Sequence, residues 1–173
     1  LKGVQVIVQV QGADLAYQPD RYAATLAAII EEYKLDVFLG AFSAQGKDLF
    51  PRLAAKAKAG LVSDCLAIDL EKRQAVKPVY SGKLLAEYRV SGPLALFTVR
   101  PNVIPVEPAA AGNAPVLKAM ALDMAEPRTR IVEVIQSASQ RVDLTEAEII
   151  VSGGRAMKAK ENFAVLEDLA RVL

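Results

Sequence analysis

The chain has no histidine, no tryptophan and a single cysteine, Cys65, among its 173 residues. Without His it lacks the commonest metal ligand and the commonest general base, which disfavours metal hydrolysis and Ser-His or Cys-His catalysis. One cysteine cannot form an intramolecular disulfide, which fits a reducing compartment. A dominant charge is missing too: 21 Lys and Arg stand against 20 Asp and Glu, a net charge of +1. Such a balance sets up no overall field for nucleic acid or an anionic membrane. Apolar runs such as residues 4–10 are far shorter than the roughly 20 residues of a membrane span, and no basic-then-apolar leader opens the sequence. These absences point to a soluble protein. What is present is 53% hydrophobic residues, enough for a core of its own.

The pattern reads as α/β with a mainly parallel, mixed sheet and flanking helices. Residues 3–10 form a first strand. Pro19 stands near a helix start, and Tyr22, Leu26, Ile29, Ile30 and Tyr33 recur at the spacing of one buried helical stripe. Residues 36–41, almost wholly apolar, read as a strand in the middle of a parallel sheet, completing a βαβ unit. A turn through Gly46 leads to a basic amphipathic helix over 47–59 with Leu49, Phe50, Leu53 and Ala57 inward and Gly60 as its cap. Residues 74–80 and 84–90 alternate around Ser81-Gly82, as in an antiparallel hairpin, and 94–99 return to the sheet. The Pro-rich stretch 101–127 breaks regular structure except for a short helix around 116–124. Residues 129–135 and 148–151 read as strands, with a domain boundary near 140–147, and 161–173 as a helix with Phe163, Leu166 and Leu169 on one side. Both ends of the sequence look cut: it enters a strand almost at once and closes inside a helical pattern.

Three segments could carry chemistry. Ser152-Gly153-Gly154-Arg155, between a strand and a helix, is an arrangement that brings backbone N–H groups and a guanidinium to a phosphate. A plain strand-to-helix turn with a solvated Arg accounts for the same residues. Residues 41–48 follow the second strand, where ligands settle in open α/β sheets. They are not a Walker loop, because the glycine spacing is wrong and Asp48 replaces the magnesium-holding Ser or Thr. The plainer account lets Gly46 permit the turn and puts Asp48 in the first helical turn. In residues 60–65, read as a turn, Asp64 is either a functional acid or an Asp bonded to its local backbone, and Cys65 is a small core residue. No catalytic constellation and no metal site emerge.

Taken together, the segments resemble those of the alpha subunit of electron-transfer flavoproteins. The resemblance is carried by Gly46-Lys47-Asp48-Leu49-Phe50-Pro51-Arg52-Leu53-Ala54-Ala55, Gly60-Leu61-Val62-Ser63-Asp64 and Pro78-Val79-Tyr80-Ser81-Gly82. Thr98-Val99-Arg100-Pro101 and Val151-Ser152-Gly153-Gly154-Arg155 with Glu161-Asn162-Phe163 extend it in register over most of the chain. Ala156 departs from it, standing where the family usually has Gly.

The resemblance implies an adenine-nucleotide-alpha-hydrolase-like first domain, with residues 1 to about 145 as its later part. Residues 146–173 would be the first βα unit of a Rossmann-like FAD domain whose larger part lies beyond Leu173. It implies an electron carrier rather than an enzyme, with Ser152, Gly153, Gly154 and Arg155 at the edge of the FAD pocket. The implied partners are a beta subunit that often holds AMP, dehydrogenases such as the acyl-CoA dehydrogenases of fatty acid beta-oxidation, and a membrane-bound quinone oxidoreductase. The implied location is the bacterial cytoplasm or the mitochondrial matrix. Two rivals remain. Adenylating ATP-pyrophosphatase-type enzymes also carry Ser-Gly-Gly, although Ala156 and Met157 stand here where they have Asp and Ser. A structural subunit without cofactor is the other.

Overall fold

The computed structural model describes residues 4–12, 16–105, 114–121, 129, 131–133, 144 and 147–173. Contacts divide the chain into two units, Leu1–Ile131 and Val132–Leu173. The expected boundary near 140–147 falls mostly on residues outside those described.

In the first unit, β1 (Val6–Gln11) leads to α1 (Pro19–Glu32). Pro19 takes the first helical turn, where a missing N–H costs nothing. Ala23, Ile29 and Ile30 are buried on the inner side, but so are Arg21 and Thr25. Their burial is tolerated because both are bonded: Arg21 Nη1 donates to Gln18 Oε1 and Thr25 Oγ1 donates to the Arg21 carbonyl, each at 3.0 Å.

Next come β2 (Val37–Ala41), α2 (Ala44–Ala57), β3 (Gly60–Cys65), β4 (Ala67–Asp69), β5 (Gln74–Val79), β6 (Leu84–Arg89) and β7 (Ala95–Val99). Strands β2, β7 and β3 form a parallel sheet in that order, whereas β4, β5 and β6 form an antiparallel sheet of their own. The α/β class with parallel sheets and flanking helices is therefore present, and the predicted hairpin lies in β5 and β6. Residues 36–41 are not the middle strand. That place belongs to β7, which is paired along both edges and has Ala95, Leu96 and Phe97 at 0% exposure. Leu39 on β2 is 45% exposed, because among the described residues β2 is paired along one edge only.

Alternate residues of β7 face two cores. Ala95 and Phe97 meet Val62, Cys65, Ala75 and Val90, while Leu94 and Leu96 meet Ile30, Phe50 and Leu53. The second cluster is how α2 is held, with Leu49, Phe50 and Leu53 buried as expected and Ala57 half-buried.

Several boundaries differ from the sequence reading. Helix α2 starts at Ala44, capped by the Ser43 hydroxyl, which accepts from the Gly46 N–H at 3.2 Å. Its other end is closed by Lys58 in the left-handed region (φ 51°), so Gly60 is no cap and instead begins β3. Residues 60–65 are thus a strand: Gly60, Leu61 and Val62 pair with β7, and the polar Ser63 and Asp64 fall in a bulge. Residues 116–121, expected as helix, are β8 (Val116–Ala121), in parallel register with β1 from Val6↔Val116 to Gln11↔Ala121. Pairing with β1 overrides the helical preference of Leu, Lys, Ala and Met there. Residues 122–124 lie outside the described residues. Of the strand expected over 129–135, Thr129 and residues 131–133 are described and are not strand.

In the second unit, residues 148–151 are not strand either. A strand needs a partner for its backbone groups, and among the described residues none pairs with this segment. Two 3-10 turns, Arg155–Met157 and Lys160–Phe163, lead into α3 (Ala164–Val172), so the expected helix begins as a tighter coil. Among the described residues no helix is long and apolar enough to cross a membrane.

Gly46 does not make a turn; it lies buried in the first turn of α2, where an added Cβ would overlap the Ala41 backbone carbonyl. Gly46→Ala is expected to destabilise the protein by about 1–3 kcal/mol, the cost of overpacking against an atom that cannot yield. Urea denaturation checks this, and an unchanged midpoint contradicts it.

Candidate functional site

The carboxyl ends of β2, β7 and β3 open on the same side because the three strands are parallel. There the bulge after Val62 turns Asp64 into the left-handed region at φ 64° and aims its carboxylate at Arg100, just past β7. Arg100 Nε donates to Asp64 Oδ1 at 2.9 Å and Nη2 to Oδ2 at 2.7 Å, a bidentate pair. The Asp64 N–H donates to Thr98 Oγ1 and the Arg100 N–H to the Cys65 carbonyl. Left-handed backbone is disfavoured for an L-residue, and the bidentate pair, with Asp64 half-buried, helps to hold the bulge, although solvent around Arg100 screens it. Asp64 is thus neither bonded to its own local backbone nor free as an acid. Cys65 is a core residue: it is fully buried, its Sγ lies 3.3 Å from the Val62 carbonyl, and burial pushes its pKa up. Beside Arg100 is a shallow concavity of about 340 Å³ with apolar walls from Leu39, Val99, Pro101 and Ile104.

The start of α2 is also committed within the fold. Asp48 is the fifth residue of the helix, beyond its first turn, and its carboxylate accepts from the Tyr17 hydroxyl and from Arg52 Nε, each at 3.0 Å. Arg52 also reaches Asp20 at 3.4 Å. Burial, followed by the hydrogen bond to Asp48, pushes the Tyr17 pKa up to about 12. Lys47 lies 4.6 Å from the centre of the Phe42 ring. This network ties α1 to α2.

In the second unit, Ser152, Gly153, Gly154 and Arg155 share one exposed turn. Gly153 is packed: an added Cβ would lie 2.5 Å from Leu166 Cδ1 and 2.9 Å from Met157 Cγ. Gly154 is open, with nothing within 4 Å of an added Cβ, and its backbone (φ −120°, ψ −159°) is one that any residue adopts. Nothing in the described chain requires glycine there. Among the described residues the N–H groups of Gly153, Gly154, Arg155 and Ala156 have no acceptor, and the Arg155 guanidinium has no ion pair. Unpaired donors, a hydroxyl and a guanidinium along one exposed segment could serve an anionic, oxygen-rich group. Alongside, a concavity of about 740 Å³ runs between residues 147–153 and α3, with Ile149, Val151, Phe163 and Leu166 among its walls.

Arg100 and Asn162 stand in the sequence only within the segments of the resemblance, with no role of their own. Arg100 is the partner of Asp64, and no local spacing links residues 36 apart. Asn162 bonds the Met157 carbonyl through Nδ2 at 2.6 Å. Among the described residues no group of three or more Cys, Asp or Glu could hold a metal ion.

The pair at the first unit's strand ends has a pH signature. Hydrogen bonding to Arg100 holds the Asp64 carboxyl below its usual range. Its stabilising contribution is complete above the unfolded carboxyl pKa of about 3.9 and is lost as pH falls through the lower folded value. Asp64→Asn should lower stability at neutral pH and flatten the acid limb of the profile. Urea midpoints measured from about pH 2 to pH 6 test this, and an acid limb as steep as wild type contradicts it.

Residues 1–124 match the family described as Electron transfer flavoprotein domain, and residues 143–173 match the Electron transfer flavoprotein FAD-binding domain. The chain is 35% identical over 159 residues to the electron transfer flavoprotein subunit alpha of Bacillus subtilis, covering 91% of this chain and 49% of that protein. It is 34% identical over 159 residues to the subunit alpha of Syntrophomonas wolfei, covering 91% and 50%. A probable mitochondrial subunit alpha from Cryptococcus neoformans is 34% identical over 151 residues, covering 86% and 43%. The chain spans about half the length of the curated relatives it matches. With one family matching over more than half of it and the second over the Ser-Gly-Gly-Arg turn, the chain belongs to the electron transfer flavoprotein alpha-subunit family.

Proposed function

We propose that the whole protein is the flavin-bearing subunit of a two-subunit electron carrier, and that Ser152, Gly153, Gly154 and Arg155 form one edge of its FAD pocket. The observation that carries this reading is the exposed turn whose four successive N–H groups and guanidinium have no partner among the described residues. Residues 146–173 then open the flavin domain, and residues 1 to about 145 belong to the domain before it. When bound, FAD supplies the redox chemistry, and the protein sets its orientation and electrostatic surroundings. Gly154 lets the backbone come close, the turn's N–H groups donate to cofactor oxygens, and Arg155 places positive charge beside them. No side chain described here has to take a substrate proton or attack a substrate, which suits a carrier that leaves metabolites unchanged.

The second subunit is a beta subunit, holding AMP, packed against the alpha subunit. Electrons arrive from docked dehydrogenases, acyl-CoA dehydrogenases of fatty acid beta-oxidation being the representative donors, and leave to a quinone oxidoreductase. The setting is the bacterial cytoplasm or the mitochondrial matrix. The family to which the chain belongs and the FAD-binding domain match over residues 143–173 support this reading.

The complete protein, co-purified with its beta subunit, is expected to carry a stoichiometric flavin absorbance. Arg155→Ala is expected to weaken flavin affinity about tenfold or more, the loss of a charge-assisted hydrogen bond. A colourless complex, or unchanged affinity in the variant, contradicts the proposal.

A further inference from the structure

The turn that presents Arg155 has little to hold it in shape. Its internal bonds are local: the Met157 N–H donates to the Gly154 carbonyl at 3.0 Å, the Lys158 N–H to the Arg155 carbonyl at 3.1 Å, and the Ala159 N–H to the Met157 carbonyl at 2.7 Å. Lys158 has φ 65° and ψ −52°, the geometry of a γ-turn, so the chain reverses sharply just after the 3-10 turn. Exposed single turns bonded only to themselves open readily. Among the described residues, one side chain reaches in from outside the turn. Asn162 Nδ2 donates to the Met157 carbonyl at 2.6 Å, while the Asn162 N–H donates to the Ala159 carbonyl at 3.2 Å. The Met157 carbonyl therefore accepts from both Ala159 and Asn162. Gly153 lies against the Met157 and Leu166 side chains, which leaves the Met157 carbonyl to be held by these two hydrogen bonds.

We propose that Asn162 is a positioning residue for the cofactor turn: by holding the Met157 carbonyl it fixes the 3-10 turn that starts at Arg155, and so sets where the guanidinium and the unpaired N–H groups point. This rests on the proposal that Arg155 faces the flavin. Asn162 does not touch the cofactor; it acts through Arg155. The amide N–H carries this role, since a carboxylate of the same shape in its place has no hydrogen to donate and repels the carbonyl. Asn162 is exposed and is not among the atoms that Gly153 lies against, which are those of Met157 and Leu166.

The test is a double-mutant cycle on flavin affinity in the complete alpha subunit assembled with its beta subunit, with FAD itself as the probe. Asn162→Asp is expected to weaken FAD binding roughly 5-fold in the wild-type background and less than about 2-fold in an Arg155→Ala background, because coupling through one residue makes the losses non-additive. In the flavin-free complex, Asn162→Asp should also speed amide hydrogen exchange at Met157 and Lys158. A wild-type affinity in Asn162→Asp, or the same loss in both backgrounds, overturns the proposal while leaving the flavin assignment standing. An Arg155→Ala variant that binds FAD normally removes the flavin assignment and this proposal with it. Asn162→Ser, which keeps a short donor, is the second variant and should restore part of the affinity. If neither variant yields folded protein, Asn162 supports the fold rather than the turn, and the proposal fails.

Discussion

The first unit depends on the burial of strand β7, from Ala95 to Thr98. With both edges paired and residues from Leu94 to Thr98 inside, it sets the positions of β2 and β3 beside it and of α2 packed against it. Its alternate side chains feed separate cores, Ala95 and Phe97 toward β3 and the hairpin, Leu94 and Leu96 toward α1 and α2. Because β2 and β3 run parallel to it, their carboxyl ends and the start of α2 come to the same end. The bidentate Asp64 and Arg100 pair then closes the gap between β3 and β7 there. That end is stabilised by its own partners.

The second unit is built on the opposite principle. Ile149, Ile150, Val165, Leu169 and Val172 are all more than 45% exposed, and among the described residues its hydrogen bonds are short-range ones in turns and in α3. A segment so poor in buried apolar surface has little stability of its own. Polar groups are likewise left unmatched at the turn, where donors cluster without acceptors. An oxygen-rich cofactor would answer that surplus, and the exposed apolar walls beside it would take up the remainder of a large ligand or of the surrounding domain.

Much of the architecture could be read from the residues, for identifiable reasons. The Tyr22 to Tyr33 spacing located α1, and alternation around Ser81 and Gly82 located β5 and β6, because both signals are local. Residues 94–99 were recognised as a strand but not as the central one, since centrality depends on pairings with β2 and β3 that are distant in sequence. Ser63 and Asp64 disguised β3 as a turn because a bulge admits polar residues into a strand. The segment from Val116 has helix-forming composition, yet β1 offered it an edge. Gly153 and Gly154 look alike in the sequence but differ in space, one against Leu166 and Met157 and the other facing nothing. The Asp64 and Arg100 pair was invisible because its members lie far apart along the chain.

The claim on which the functional account rests is that the turn's unsatisfied donors face the flavin cofactor. A structure of the complete alpha and beta complex with FAD bound tests it most directly. The account predicts the Arg155 guanidinium and at least one N–H from Gly153 to Ala156 within about 3 Å of cofactor oxygen or nitrogen atoms. A bound cofactor held wholly by other residues, with this turn hydrated and remote from it, would contradict the account.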